Sequence, residues 1–236
     1  MSLSHPIRIV APVSVRAVID DLLGSLLPSR CPGCGAAGAP VCPACATGLR
    51  AARPAPPPAP VAWWTSLYAY EGVAREMVAR AKYRGERRAL IAVARDLAAA
   101  IERAPHPANV ITWVPASADR RRARGVDHAE VLARVLARES RRRVAPLLHR
   151  YPGPAQTGRD ARARRRGPSL RAFGVPAGAT VLVVDDVSTT GGTLAAAARA
   201  LRSAGAAAVY AATIARTPAP GSRSTGPAYT APKSMS

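Results

Sequence analysis

Asp185 and Asp186, followed by Ser188, Thr189, Thr190, Gly191, Gly192 and Thr193, are the residues of this chain best suited to chemistry. They belong to the run Val-Leu-Val-Val-Asp-Asp-Val-Ser-Thr-Thr-Gly-Gly-Thr over 181–193. Its four leading apolar residues, mostly β-branched, predict a buried parallel strand. The small-residue loop feeds an alanine-rich segment that predicts a helix. Free N–H groups at a helix start, with hydroxyls around them, suit a phosphate, and Gly191 and Gly192 let backbone approach closely. Two carboxylates beside such a site suit vicinal hydroxyls. A ligand such as a ribose 5-phosphate combines both, bound outside the carboxyl end of a strand where open α/β sheets take ligands. The alternative is a generic nucleotide-binding or purely structural strand–helix turn. Glycines alone would serve a phosphate, so the acid pair discriminates.

A second anion-binding segment follows another predicted strand. Arg120, Arg121, Arg122 and Arg124 lie between Val114 and Asp127, on what reads as a loop. Arginine forks suit phosphate oxygens, so a basic loop and a phosphate loop could clamp the two ends of one ligand. A solvated charge run is the competing reading. His128 reads as an exposed polar residue near a helix start.

Cys31, Cys34, Cys42 and Cys45 form two Cys-x2-Cys pairs. Two such turns supply a tetrahedral thiolate set for zinc, the alternatives being disulfides or free buried thiols. With no histidine or carboxylate in the set, the site reads as structural or recognitional, and metal would supply most of the local folding free energy.

These groups need a scaffold. Residues 1–50 read as an N-terminal helix (14–27) and a zinc-binding module, 51–60 as a proline-rich semi-rigid linker, 61–216 as the main domain, and 217–236 as a disordered tail. Within the main domain, strands are expected at 63–70, 109–114, 144–148, 180–184 and 207–214. Helices are expected at 73–82, 87–103, 127–139 and 193–204. Asp127 with Glu130 predicts a capping box, and Gly205 a helix stop. The alternation predicts an α/β fold, a parallel sheet flanked by helices.

The 236 residues carry a formal charge of +20, and Lys82 and Lys233 are the only lysines. Such a charge points to a polyanionic partner or to compositional bias. Single-stranded DNA would be met by the zinc module and the arginine-rich 159–171 segment. Few aromatics lie near those arginines, Tyr151 and Phe173 being the exceptions, which weighs against single strands. No stretch approaches about 18 uninterrupted apolar residues, so no membrane span is expected. No cleavable leader is expected either, and the cytoplasm is the expected setting. Oligomeric state is not legible.

The 181–193 run resembles the phosphoribosyl-pyrophosphate (PRPP) loop of type I phosphoribosyltransferases, with Ser188 where an aliphatic residue is usual. The resemblance implies that Asp185 and Asp186 are the catalytic pair holding the ribose hydroxyls, and that residues 188–193 wrap the 5-phosphate. More widely, residues 22–216 resemble the ComF family (competence protein F and relatives), a four-cysteine zinc module followed by a type I phosphoribosyltransferase-like domain. Its landmarks are Leu67-Tyr68-Ala69-Tyr70 with Ala81-Lys82-Tyr83-Arg84-Gly85, Val114-Pro115 through Arg124-Gly125, and the PRPP loop itself. By this resemblance Pro115, Arg120, Arg121, Arg124 and Lys82 serve the pyrophosphate. Mg²⁺ accompanies PRPP, and phosphoribose passes to a nitrogen nucleophile as pyrophosphate leaves. A non-catalytic nucleotide sensor and an accessory of DNA uptake are the other functions the resemblance admits. The chain departs from the family at Val126-Asp127-His128, where Phe-Asn-Gln is usual. It departs again after Gln156, where a leucine and a later asparagine are missing. These departures leave the acceptor open.

Overall fold

The structure, a computed structural model, describes residues 30–37, 41–83, 87–103, 108–125, 127–151 and 167–218. The helix expected over 14–27, the tail beyond 218 and the arginine-rich stretch through 166 lie outside these residues. In chain order the elements are α1 (Pro43–Gly48), β1 (Trp63–Ala69), α2 (Gly72–Tyr83), α3 (Arg87–Glu102), β2 (Val110–Trp113), α4 (Ala118–Arg124), α5 (His128–Glu139), β3 (Arg143–Val144), β4 (Leu148–Arg150), β5 (Leu170–Ala172), β6 (Thr180–Ser188), α6 (Gly192–Ser203) and β7 (Ala208–Arg216).

Five described strands make one parallel sheet in the order β1-β7-β6-β2-β3. Its central strand, β6, is apolar on both sides, as a parallel strand covered by helices must be. Leu182 and Val184 enter one core with Leu97, Leu132 and Leu136, under α3 and α5. Val181 and Val183 enter the other with Leu194, Ala198 and Leu201 of α6. The alanines of α6 bring its axis close to the sheet, and Gly205 at φ +100° ends it, with Ala206 N–H donating to Leu201 O at 3.0 Å. The chain runs from β2 outward to β3 and from β6 outward to β7. The crevice between the carboxyl ends of β2 and β6 is therefore the switch point at which doubly wound sheets take ligands.

Four expectations need correction. The strand expected over 144–148 is broken at Pro146. Its first part, β3, joins the parallel sheet, while Leu148–Arg150 forms an antiparallel ribbon with β5, which the sequence reading lacked. The arginines after β2 lie on a helix, α4, because Ser117 Oγ accepts from Arg120 N–H at 3.4 Å and Gly125 at φ +67° ends it. The capping box is not formed. Asp127 Oδ2 accepts instead from Ala116 N–H at 2.8 Å, and Glu130 bonds Arg134. Finally β6 runs on to Ser188, so the acid pair stands within the strand.

Residues 50–58 lie along the outer edge of β1. Ala52 N–H donates to Leu67 O at 2.9 Å, and Trp64 Nε1 donates to Ala55 O at 2.8 Å. Among the described residues no helix is long and apolar enough to cross a membrane.

Candidate functional site

The carboxyl ends of β2 and β6 open into a cleft of about 970 Å³. Lys82, Pro115, Arg120, Asp185, Asp186 and the whole 188–193 loop line it, so the structure gathers these candidate residues around one space. Arg121 does not line it, and the side chain of Arg124 is outside the described residues.

Alternation along β6 turns the two acids differently. Asp186 meets Lys82, at the end of α2, with Nζ–Oδ2 at 2.7 Å. Asp185 Oδ1 accepts from the Asp186 N–H at 2.8 Å. Burial, then the neighbouring Asp186 charge, pushes the Asp185 carboxyl up from 3.8 to about 8. The Asp186 N–H and Lys82 oppose this rise, and Asp127 adds to it. The pair thus resists double ionisation, as two close carboxylates do, and a cation or hydroxyl donors would relieve it.

Beyond the acids, Gly191 at φ +76° turns the chain into α6, and Gly192 N–H approaches Thr190 Oγ1 at 3.4 Å. A Cβ at Gly191 would lie 2.9 Å from Pro58, and one at Gly167 would run into the Gly192 carbonyl. The loop is therefore gripped from both sides, and glycine is required at both places. The Ser188 hydroxyl is buried and has no hydrogen-bond partner among the described residues. His128 is not the exposed residue expected. It is half-buried, and its Nε2 donates to Ala81 O at 2.8 Å, fastening the end of α2 beside Lys82.

Sequence reasoning missed Arg150. It sits at the end of β4, half-buried at the cleft wall. Burial first, and Arg120 second, lower its pKa, with Asp185 opposing. The alternation of Leu148, His149 and Arg150 was the one signal available, and it was hidden by the strand assigned across Pro146.

The four cysteines form a separate cluster. Their Sγ atoms all lie within 4.8 Å of one another, and none is in a disulfide. Tetrahedral ligands at about 2.3 Å from zinc stand about 3.8 Å apart, and Cys34 and Cys42 Sγ are 3.6 Å apart. Burial raises Cys31, but the N–H groups of Cys42, Cys34 and Gly33 outweigh it and bring the thiol down to about 6. Cys45 is pushed up by burial and by the neighbouring sulfurs. The cluster could hold a zinc. It rests on α2: a Cβ at Gly33 would meet Cys45 Sγ at 2.6 Å and Val73 at 2.9 Å, and one at Gly48 would meet Val73 at 2.7 Å.

A doubly wound α/β sheet with an acid pair, a glycine–threonine loop and cationic walls at its switch point is the architecture of a phosphate-binding α/β protein. Residues 71–234 match the family described as the phosphoribosyl transferase domain, and the chain belongs to that family. The chain is similar to a solved structure described as the allosteric regulatory enzyme of purine biosynthesis. That match has 25% identity and a TM-score of 0.37, over 52% of this chain and 25% of that one, so the chain spans about a quarter of its length. It is also similar to a hypothetical protein from Neisseria gonorrhoeae with bound ppGpp. There the identity is 15% and the TM-score 0.39, over 59% of this chain and 75% of that one. A comparison with curated proteins found no match.

Proposed function

We propose that this chain is a ComF-like phosphoribosyltransferase-domain protein that binds PRPP with Mg²⁺ and transfers phosphoribose to a nitrogen base. The observation that carries the reading is the acid pair and the glycine–threonine loop in one cleft with Lys82 and Arg120. In this reading Asp185 and Asp186 accept from the ribose hydroxyls. The N–H groups between Thr189 and Thr193 hold the 5-phosphate, where the α6 dipole also favours an anion. Lys82 and Arg120 attract the pyrophosphate, with Arg121 and Arg124 as further cations on the same helix. Pro115 shapes the loop that starts this wall. Lys82 also holds Asp186 in place. Mg²⁺, near the acid pair and the pyrophosphate, would neutralise the leaving group's charge. Cys31, Cys34, Cys42 and Cys45 hold one structural zinc. The knuckle (1–50), linker (51–60), transferase-like domain (61–216) and tail (217–236) form one cytoplasmic protein in this reading.

Calorimetric titration with PRPP and Mg²⁺, followed by a screen of bases for pyrophosphate release, tests the proposal. Asp186→Asn should weaken PRPP by about 1–3 kcal/mol, the scale of a hydrogen bond to a charged group. No binding of PRPP at millimolar concentration would sink the proposal.

A second reading, an accessory protein binding single-stranded DNA, draws on Tyr151 and Phe173, 41% and 50% exposed. The Arg171 guanidinium stands 5.2 Å from the Tyr151 ring. Affinity for single strands that falls when both aromatics become alanine would favour it.

A further inference from the structure

Thr189 and Thr190 are exposed, yet Gly191, the next residue of the loop, is buried. What covers it comes from the segment that joins the cysteine cluster to β1. The three atoms nearest to a Cβ built on Gly191 all belong to the Pro58 ring, the first two at 2.9 and 3.1 Å. Pro58 thus lies directly on the backbone where the loop turns through φ +76° into α6.

Pro58 is itself held. Residues 50–52 pair with the outer edge of β1, Ala69 N–H donating to Arg50 O and Ala52 N–H to Leu67 O, both at 2.9 Å. Further on, Trp64 Nε1 donates to Ala55 O at 2.8 Å. Arg216 donates to Arg53 O, and its guanidinium stands 5.1 Å from the Trp64 ring. Pro58 O then accepts from Val61 N–H at 2.9 Å, and Val61 is buried in the same core as Leu194 of α6. Anchors therefore lie on both sides of Pro58 in the chain. Between them the run Pro56-Pro57-Pro58 has little backbone freedom to lose.

A phosphate site made of successive N–H groups works best when those groups already point at one place. Gly191 has no side chain with which to fix itself, and glycine loses more freedom on ordering than any other residue. Support must come from outside the loop. Gly167 backs it on one side, where a Cβ would run into the Gly192 carbonyl, and Pro58 on the other. We infer that Pro58 is a positioning residue for the 188–193 loop. The segment between the cysteine cluster and the sheet presses on Gly191 and keeps the loop in the shape that binds a phosphomonoester. This rests on the proposed PRPP reading for its ligand, and adds to it a residue that acts through the loop.

Calorimetry on the full chain with Mg²⁺ would measure ribose 5-phosphate and PRPP against the native protein, Pro58→Gly, Pro58→Val and Trp64→Phe, with hydrogen exchange and urea denaturation on each. Pro58→Gly removes the ring and should weaken both ligands by a similar factor, about tenfold, the scale of ordering one more residue on binding. Amide exchange should speed up at 189–193 and stay unchanged in β2 and α3. Saturating ribose 5-phosphate should restore the loop's protection. Pro58→Val keeps a branched apolar side chain against Gly191 and should recover most of the affinity. Trp64→Phe removes the donor to Ala55 O, leaves Pro58 in place, and should give the same pattern more weakly. A proline that serves only the fold would move the urea midpoint and speed exchange throughout the sheet. That result, or unchanged ribose 5-phosphate affinity in Pro58→Gly, overturns the inference while leaving the PRPP reading standing. Ribose 5-phosphate following the expected pattern on a native chain that does not bind PRPP removes the PRPP reading and keeps Pro58 as the support of a phosphate loop. Binding of neither ligand by the native chain overturns both.

Discussion

Asp185→Asn separates what the acid pair costs the fold from what it does for a ligand. In the native protein burial first, and the Asp186 charge second, raise the Asp185 carboxyl from 3.8 to about 8. Asparagine keeps an oxygen for the Asp186 N–H, now bonded at 2.8 Å, and removes the titration. Between pH 3.8 and about 8 the folded chain holds a proton that the unfolded chain has lost. Folding stability therefore falls as pH rises through that window and levels off above it. One such group contributes a slope of at most about 1.4 kcal/mol per pH unit. From pH 5 to pH 7 the native chain should lose up to about 3 kcal/mol relative to the variant, less whatever water in the cleft screens. Urea denaturation of both proteins at pH 5, 6 and 7, at one ionic strength, reads the difference directly. The variant should gain on the native chain at each step while binding PRPP more weakly. Stability curves that run parallel with pH would refute the argument, since they would mean that Asp185 titrates as an ordinary carboxylate.

The purified protein should carry about one zinc per chain. Cys45→Ser should release it and speed amide exchange along α2, because Gly33 and Gly48 rest on Val73; metal analysis with hydrogen exchange checks both. Ser188→Ala should stabilise the fold by about 1 kcal/mol, because it removes a buried hydroxyl that lacks a partner; a lower melting temperature would contradict this. Gly167→Ala should destabilise by about 1–3 kcal/mol and weaken phosphate binding. Gly167 sits at φ +73°, and its missing Cβ leaves room for the Gly192 carbonyl and Ala196. Denaturation and titration with ribose 5-phosphate test the two effects.

The central strand and its loop were legible because their signals are local: an apolar run, an acid pair, then glycines at a helix start. The strand's true end was not. Its ladder with β7 continues to Ser188↔Arg216, since β7 is long enough to pair with every residue of it. Arg150 was illegible for a different reason. Pro146 has no N–H to carry a ladder onward, and Leu147 N–H turns back to Ala145 O at 3.0 Å. Leu148–Arg150 then pairs with Leu170–Ala172, and nothing in either short run announces a partner so far along the chain. On α4 the density of arginines argued for a loop, although Ser117 and Gly125 were both in place to start and stop a helix.

The departures at 127 and 128 have a physical explanation of their own. Asp127 and His128 stand where amides are usual in the family the chain resembles, yet both side chains are engaged by backbone. Asp127 holds the Ala116 N–H of the loop after β2, and His128 holds the Ala81 carbonyl at the end of α2. One residue thus sets the wall that leads to Arg120, and the other sets the helix end that presents Lys82 to Asp186. α2 is fixed at both ends, by the cysteine cluster against Val73 and by His128 at Ala81. A change at either end can reach the acid pair through Lys82. The acid and the imidazole therefore act on the cleft by holding its walls.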